Sequence, residues 1–574
     1  MKKILVIVLA ALMLFGFCAC GGGGGSGGEY VITVYRERSS GQADGTQDDV
    51  VKEAIEEKFY EDTGISIDLQ VTIYSQSELE QRVSTGMGVY TQDLDAVISF
   101  MGEDAGSVIM PYAKAERDIV IDLTDYIEDY PNILNAIRMN DPQHEVEMSA
   151  YVPIGTMDEA DYQMRMIPAV TPDSGYAMIV NADMMRAVQD ETGLDPDDYN
   201  VLNEGYKNMT FTQFETLMYA IQDEYTNLRY PIAAKPWDLN RIFAGTLLGY
   251  YGENVIQEDG TVVPGYFTEG GQMMLDYMWK WSKDGIWENE SLQVDDTDRI
   301  GWFASGLSAV YLSYPDVEYL ISSMRTVESI DPQLDYIMIA PIADDITEEG
   351  QAYAAEHNGE GIVRGNLKDI KASEALIIPD HRDTDTEVLL KFIDWQYSSK
   401  ENYELCLYGV KGVHWEEGDA IDWNGEQYET WVYPLANREE FTLNPPYSGK
   451  YLMLENINIS NRLRGDYTVD EQAWYLTARY DFPAYDSNST EGVWLPDITD
   501  NTIRNHAGII DQNFVQYVRG PAWAGQGTTA PSQLLTGEYI PYFYEYCGDY
   551  LDFLTQQTQS SITYFENLWN IEIA

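Results

Sequence analysis

The sequence predicts an α/β protein with a parallel β-sheet, and two patterns near its amino terminus indicate this class. Three segments have the composition or the alternation of strands: Tyr30–Tyr35, 65–71 and 94–99. Between the first two, Val51, Ile55 and Phe59 recur every four residues, which is the period of a helix face. A second helix is predicted near 78–84. This alternating order of strands and helices favours a parallel sheet covered by helices.

The remaining elements follow from the same periodicities. The first helix is predicted over 48–63, because Gly64 can adopt the left-handed conformation that ends helices. Further helices are predicted at 212–223, 271–284, 316–323 and 386–402, and further strands at 176–180, 336–339 and 375–378. From about Trp415 onward the chain is rich in Trp, Tyr, Asn and Gly, and we predict irregular structure there.

Ligands of open parallel sheets bind beyond the carboxyl ends of the strands. The segments that follow the three predicted strands are Arg36–Arg38, Tyr74–Ser75 and Phe100–Met101. We therefore expect a binding site to include residues of these three loops.

The charge and composition exclude several classes of protein. With 96 acidic and 34 basic side chains, the formal charge is −62, so binding of nucleic acid or of anionic lipid through a basic patch is not expected. Apolar residues make up 44% of the chain and aromatic residues 13%, which is enough for a large folded core. There are five histidines and no zinc-type CxxC pair, and the run 295–298 lacks the alternation of a calcium loop. No cofactor and no metal are predicted.

The amino terminus has the features of a signal peptide. Lys2 and Lys3 precede an apolar run over 4–17, which is shorter than a membrane-spanning helix. Residues 17–20, Phe-Cys-Ala-Cys, resemble a bacterial lipobox, which implies cleavage after residue 19 and lipidation of Cys20. Residues 20–28 then form a glycine-rich tether. The alternative is an ordinary cleaved signal peptide with a chance cysteine.

Several motifs occur in the same order as in one known family. They are Thr63-Gly64-Ile65, Asp93–Val97, Ile121–Ile127, Thr210–Phe214, Phe303–Val310 and Tyr408–Trp415. In this order they resemble the extracellular solute-binding lipoproteins of bacterial ABC importers, in particular the large lipoprotein subgroup of carbohydrate-type family 1. The resemblance covers roughly 30–520. Most of the motifs are weak individually, and their collinearity carries the resemblance.

The resemblance implies a two-lobed, type II periplasmic-binding-protein-like fold with a ligand cleft between the lobes. Three crossovers are expected, near 165–175, 336–344 and 408–416. Lobe 1 would comprise 29–168 and 340–410, and lobe 2 would comprise 169–339 and 411–574. The implied function is capture of a carbohydrate, in particular an oligosaccharide, by a monomer. This monomer would be lipid-anchored outside the cytoplasmic membrane and would deliver its ligand to ABC permease subunits.

The candidate ligand-binding residues are aromatic or charged. Aromatic faces stack on sugar rings, and short polar groups bind the hydroxyls. Trp415 is expected at the cleft mouth after the third crossover. Tyr314 follows a predicted strand where maltose-type receptors have a stacking aromatic, and Trp237 lies in a loop. Arg36 and Arg38 could bind hydroxyls or a uronate, or form surface ion pairs. Asp95, in the Asp93–Val97 motif, is the last candidate, and it could equally have a structural role as the cap of a helix or loop.

Two other functions stay open at this point. A cell-surface glycoside hydrolase needs two carboxylates across a cleft, and 96 acidic residues make such pairs common by chance. A receptor for peptides or other non-sugar solutes would also suit the aromatic-rich tail. The formal G-x-S-x-G match at 24–28 has no strand before it and no helix after it, so a serine hydrolase is not indicated. We expect no enzymatic activity.

Overall fold

The computed structural model describes most of the chain beyond the predicted leader. The described residues are 30–38, 44–89, 94–101, 107–115, 119–141, 144–155, 161–171, 176–252, 254–288, 294–313, 317–367, 374–380, 386–485, 493–496, 498 and 500–569. Two of the residues predicted to be functional, Cys20 and Tyr314, lie outside them.

The strands of the described residues form two main sheets and several small ones. In chain order they are β1 Tyr30–Glu37, β2 Ile67–Tyr74, β3 Ala96–Phe100, β4 Tyr151–Ile154, β5 Asp161–Met164, β6 Ile167–Pro168, β7 Ala177–Asn181, β8 Ile232–Ala233, β9 Asn254–Ile256, β10 Val262–Pro264, β11 Val310–Ser313, β12 Tyr336–Ile339, β13 Asn366–Leu367, β14 Glu374–Ile377, β15 Glu416–Glu417, β16 Ile421–Trp423, β17 Glu426–Tyr428, β18 Thr430–Val432, β19 Leu463–Arg464 and β20 Ala484–Tyr485.

The described helices cover both sheets and dominate the C-terminal part. The α-helices are Asp48–Thr63, Gln76–Val89, Met110–Ala113, Pro131–Arg138, Glu145–Met148, Ala182–Ala187, Gln189–Thr192, Pro196–Tyr199, Phe211–Glu224, Pro236–Leu247, Glu269–Asp284, Asp296–Ala304, Val317–Ile330, Glu348–Glu356, Thr386–Tyr397, Lys400–Tyr408, Arg438–Leu443, Val469–Leu476, Asn501–Asn513, Gly520–Trp523, Pro531–Leu534, Ile540–Tyr546 and Gly548–Trp569. Short 3₁₀ turns occupy Ile127–Asp129 and Gly265–Phe267, and π-helical turns occupy Thr477–Asp481, Phe514–Arg519 and Leu535–Tyr539.

Lobe 1 is built on a five-stranded sheet with the strand order β2-β1-β3-β14-β6. The first three strands are parallel, as the sequence predicts, and β14 and β6 complete the sheet. Val51, Ile55 and Phe59 of the first helix are fully buried against one face. Gly64 ends this helix at a φ of 74°, a conformation that glycine adopts without strain.

Lobe 2 is built on a four-stranded sheet with the strand order β12-β7-β11-β8. Its core is rich in aromatic rings, and Phe211, Phe243 and Trp281 pack on one another beneath one sheet face. The helix Phe211–Glu224 starts with a complete capping box between Thr210 and Gln213. The two separate sheets with their own cores make the α/β fold two-lobed, as predicted.

The crossings between the lobes agree with the sequence in one case and differ in two. The chain first passes from β6 to β7, within the predicted range. The return passage lies between β13 and β14, later than the predicted 336–344, because Ile342 packs in the lobe 2 core. The segment 409–415 packs on lobe 1, where the His414 ring lies 3.1 Å from Gln47 Oε1. The third passage therefore lies after β19, before Trp474 enters the lobe 2 core.

The C-terminal part is irregular with short strands over 415–468, as predicted, and mostly helical from Val469 onward, where the prediction is wrong. Its last described helix, Gly548–Trp569, packs on both lobes. Leu551 and Leu554 lie in the lobe 2 core, and Phe565 is 1% exposed in the lobe 1 core. Between them, the Tyr564 ring stacks on Tyr162 of lobe 1 at 4.9 Å. This long helix thus joins the two lobes directly.

Residues on both sides of the third passage pack on lobe 1. Leu452 and Leu454 pack in its core, and Trp494 donates from Nε1 to Ser149 O at 2.8 Å. The predicted lobe boundaries at 340, 410 and 411 remain predictions. No helix within the described part of the chain is both long enough and apolar enough to cross a bilayer.

Candidate functional site: the facing edges of the two sheets

The candidate site lies where one edge of each main sheet meets the passages between the lobes. In lobe 1, the ends of β1 and β3 lie at the same edge as the start of β14, since Phe100 pairs with Glu374. In lobe 2, Ala177 at the start of β7 pairs with Ser313 at the end of β11. The chain leaves lobe 1 and enters lobe 2 at these two edges, so they face each other across a hinge.

A hydrogen bond ties the two passages together at this hinge. Asn366 Nδ2 donates to Tyr176 O at 2.7 Å, and Asn366 is itself 3% exposed. Tyr176 directly precedes β7, and Asn366 is the first residue of β13. The bond therefore holds the two passages side by side where they meet lobe 2.

The lobe 1 edge is a network of buried charges. Arg36 is 4% exposed, and its guanidinium donates to Leu452 O at 2.6 Å and to Glu374 Oε2 at 3.5 Å. Glu37 accepts hydrogen bonds from the Ser99 hydroxyl and from the Phe100 backbone N–H. Burial raises the pKa of Glu374, and the Arg36 charge opposes that rise. These contacts fix the edge rather than leave it open.

Arg36 lies in a different environment from the loop that the sequence predicts, whereas Arg38 lies in the loop, as expected. We expected both in a loop, but β1 continues to Glu37, and Arg36 pairs in register with Ile73 and Ile98 inside the sheet. Arg38 is exposed just beyond the strand, and its backbone N–H donates to Tyr74 O at 2.7 Å. Its charge lowers the pKa of Glu78 after the Ser75 hydrogen bonds, which have the larger effect. Arg38 is thus the arginine that solvent can reach.

The lobe 2 edge presents carboxylates around a lysine. Lys235 follows β8, and its Nζ lies 2.6 Å from Asp296 Oδ2. Asp238 lies in the first turn of the helix Pro236–Leu247, where the amino-terminal helix dipole favours a negative charge. The Tyr176 hydroxyl hydrogen-bonds to Asp238, and Tyr319 hydrogen-bonds to Asp296. The edge therefore offers acceptor oxygens beside aromatic hydroxyls.

A buried ion pair supports this carboxylate group from behind. Arg299 Nε donates to Glu288 Oε1 at 2.9 Å, and its Nη1 lies 3.3 Å from Asp296 Oδ1. The side chains of Arg299 and Glu288 are 2% and 0% exposed. Because Arg299 contacts both acids, it fixes Asp296 relative to the lobe 2 core.

Two aromatic rings stand exposed at the two edges. Phe100 ends β3 in lobe 1 and is 38% exposed, and Trp237 lies in lobe 2 and is 46% exposed. Phe100 is at a strand end, and Trp237 is in the first turn of the helix Pro236–Leu247 rather than in the predicted loop. Each of the two rings offers a face of the kind on which the apolar side of a sugar ring can stack.

Two of the predicted ligand-binding residues are buried and hydrogen-bonded within the protein. Asp95 is 2% exposed and accepts from Thr33 N at 2.8 Å, at the start of β3 and therefore at the far end of the strand from Phe100. Trp415, expected at the cleft mouth, is 2% exposed and donates from Nε1 to Gly409 O at 2.9 Å. Neither ring face of Trp415 is open, because Lys411 and Arg462 lie over it.

Two predicted ligand-binding residues remain, and only one of them, Trp237, is among the described residues. Trp237 lies at the lobe 2 edge. Tyr314 lies outside the described residues and directly follows Ser313, the last residue of β11. Sequence reasoning missed Asp238 and Asp296, although Asp238 could have been found from its place just after a strand end. The strand that marks it, β8, has only two residues, too few for a periodic pattern.

Asp238 has an unusual protonation behaviour. Burial raises the pKa of Asp238 to about 6, and nearby Asp296 adds to the rise, while Lys235, the Tyr176 hydrogen bond and Arg299 oppose it. In the unfolded chain the pKa of this carboxyl is near 3.8. The folded protein therefore binds more protons than the unfolded chain between these values, and its stability falls as the pH rises through them.

We expect Asp238→Asn to be more stable than the wild type at pH 7, by about 1–3 kcal/mol, because the amide carries no ionisation penalty. The difference should shrink as the pH falls from about 6 and be absent below about 4. Thermal unfolding of both proteins between pH 4 and pH 8 measures it. A stability difference that stays constant over this range would contradict the raised pKa.

The described residues offer no grouped metal ligands, and the one cavity reported below lies away from the candidate site. Within the described ranges, no three His, Cys, Asp or Glu side chains are grouped so as to hold a metal ion. The run at 295–298 instead starts a helix, with Asp295 capping it by accepting from Asp298 N at 2.9 Å. A cavity of about 280 Å³ lies among the lobe 2 helices, lined by Trp279, Tyr517 and Pro531 among others, away from both strand edges.

Comparison with solved structures identifies the architecture. The N-glycan transport solute binding protein NgtS of Streptococcus pneumoniae matches at a TM-score of 0.55, covering 93% of this chain and 99% of that chain. The FusA substrate binding protein of the same organism, in complex with kestose, matches at 0.56 with 94% and 100% coverage. The alginate-binding protein AlgQ2 matches at 0.57 with 92% and 98% coverage. This chain has the two-lobed fold of solute-binding proteins.

The solute-binding fold is shared at low sequence identity, 13% with NgtS and 14% with FusA and AlgQ2. No protein-family model matches the sequence, and no curated protein matches it. The coverage shows that the similarity extends over almost the whole chain, including the C-terminal helical part. The edges described above lie where the chain passes between the two lobes of this fold.

Proposed function

We propose that this protein is the substrate-binding subunit of an ABC transporter and that it captures an oligosaccharide in the interlobe cleft. The observation that carries the proposal is the pair of facing edges, one with Phe100 and the other with Trp237, Asp238 and Asp296. An exposed ring beside acceptor oxygens is the combination that binds hydroxylated rings. The solute-binding fold and the names of the similar structures, which include N-glycan transport and a kestose complex, support it.

The proposed mechanism is capture by closure of the lobes. A sugar that contacts Phe100 on one lobe and Trp237 on the other gains more contacts when the lobes are closed than when they are open. The ligand therefore shifts the population toward the closed state. The hinge beside Asn366 and Tyr176 is where the required rotation would take place. The chemistry is binding alone, and no bond of the ligand is broken.

The proposal also covers the location of the protein and its partners. The leader and the cysteine support export, lipidation of Cys20 and attachment to the outer side of the bacterial cell membrane. The tether at 20–28 would hold the body near the membrane, as a monomer that delivers its ligand to ABC permease subunits. Mass spectrometry of the protein purified from a bacterial membrane tests the anchor, since a Cys20→Ser variant should lose the lipid.

We expect Trp237→Ala to weaken glycan binding by about 1–3 kcal/mol, which is roughly tenfold to a hundredfold in Kd, because a stacked aromatic anchor is lost. The body from residue 29 is first screened against an oligosaccharide panel by thermal shift, and Kd is then measured by calorimetry. Trp279→Ala, which alters an aromatic far from the cleft, serves as the control. Equal affinity of wild type and Trp237→Ala would contradict the placement of the ligand.

A glycoside hydrolase remains the second candidate because of one observation. Asp238, with its raised pKa, lies close enough to Asp296 for the two charges to interact, and hydrolases use such unequal carboxylate pairs. The same panel decides between the two functions. Saturable stabilisation without release of reducing sugar supports capture. Release of reducing ends that Asp238→Asn abolishes would support hydrolysis instead.

A further inference from the structure

The charges at the two edges of the cleft are already paired within the protein. At the lobe 2 edge, Lys235 contacts Asp296, and Arg299 contacts both Glu288 and Asp296. Asp238 adds a third carboxylate against these two cations. Arg229, which precedes β8, also acts on Glu288, so this group of charges has no excess of positive charge, and Lys235 and Arg299 both have carboxylate partners.

The described residues of the lobe 1 edge do not add a net positive charge. Arg36 contacts Glu374, with Glu37 beside them in the same electrostatic group. Arg38 is exposed, and together with Arg82 it acts on Glu78. Among the described residues of this edge, three cations thus stand against three carboxylates, and the described residues of the two edges together carry no net positive charge.

We infer that the cleft selects neutral oligosaccharides and rejects oligouronates, an inference that rests on the proposed function. A neutral sugar brings hydroxyl donors, and the oxygens of Asp238 and Asp296 are acceptors for them. A uronate brings a carboxylate beside these oxygens, and like charges placed together across an interface suppress binding. Lys235 and Arg299 could serve a uronate only by giving up their carboxylate partners, which would leave those partners unpaired.

The structure identifies Asp296 as the residue that sets this preference. Its carboxylate is in contact with both cations of the lobe 2 edge, and its side chain is 34% exposed. Removing its charge takes away the ion-pair partner of Lys235, whose side chain is 29% exposed, and leaves Asp238 as the carboxylate that acts on this lysine. Lys235 then has one competing carboxylate fewer when an anion approaches. The same change leaves Arg299 paired with the fully buried Glu288.

The test compares two sets of glycans of equal length on the wild type and on Asp296→Asn. The probes are neutral tri- to penta-saccharides, such as fructo- and manno-oligosaccharides, and oligogalacturonates of the same lengths. The wild type should bind at least one neutral glycan and no oligogalacturonate. In Asp296→Asn, uronate affinity should rise by about tenfold or more relative to neutral-glycan affinity, because one repulsive charge is removed at close range.

Asp197→Asn is the matched control, because it removes the same charge from an exposed side chain near the opposite edge of the lobe 2 sheet. It should leave the ratio of the two affinities unchanged. A wild type that binds oligogalacturonate more tightly than any neutral glycan would overturn this inference and leave the proposed function standing. Binding of neither set would overturn the proposed function and this inference with it.

Discussion

Replacing Arg299 with Met should lower the free energy of unfolding by about 3–5 kcal/mol, because Glu288 would keep a buried charge with no partner. The two side chains are almost completely buried, so water cannot take over the role of the guanidinium. Burial already raises the pKa of Glu288, and the Arg299 contact opposes that rise. Urea unfolding followed by tryptophan fluorescence measures the loss.

The exposed pair of Lys207 and Asp198 provides the matched control. Their side chains are 63% and 52% exposed at a separation of 2.8 Å, so Lys207→Met should cost about 0–1 kcal/mol. The double variant Arg299→Met/Glu288→Gln should recover much of the stability, because no buried charge remains. If Arg299→Met proves as stable as Lys207→Met, the buried pair does not contribute as described.

Trp415→Ala should lower the free energy of unfolding by about 3–5 kcal/mol and leave glycan affinity unchanged. The ring fills a site between Tyr408, Lys411 and Arg462, and truncation leaves a cavity there. The comparison with Trp237→Ala is direct, because that exposed ring should affect affinity and have little effect on stability. Calorimetric Kd values and thermal midpoints are measured on both proteins.

The opposite result for the two tryptophans would reverse their assignment. A Trp415→Ala protein of normal stability with lost affinity would mean that the ring reaches the ligand after all. Trp415→Phe is the conservative variant, and it should keep most of the stability because a large flat ring still fills the site.

The sequence predicts the sheets well because their signals are local. The alternation in 65–71 and the four-residue spacing of Val51, Ile55 and Phe59 are visible without any knowledge of partners. Even so, helix 386–402 is interrupted in the structure, because Ser399 caps a new helix by accepting from Asn402 N. The C-terminal helices were not predicted, although Leu551, Leu554 and Phe565 have a helical spacing, because the Trp, Tyr, Asn and Gly residues around them are more typical of irregular structure.

The site was less predictable, because its residues are defined by contacts distant in sequence. Arg36 is fixed by Leu452 and Glu374, and Trp415 by Arg462. No local pattern distinguishes a buried Trp from an exposed one. The prediction that the ends of the first strands form one edge is confirmed, and Phe100 at that edge belongs to the loops proposed from sequence. Asp238 and Asp296 needed the lobe 2 sheet to bring them together.

The C-terminal helix limits how the lobes can rotate. Thr555 Oγ1 accepts from Val262 N at 2.9 Å on one lobe, and Phe565 is inserted into the other. Ten residues of continuous helix keep these two attachment points roughly 15 Å apart in any conformation. A rotation that separates them would break one attachment, so the permitted axis passes close to the helix. The C-terminal helix therefore limits how far the two lobes can open, independently of what occupies the space between them.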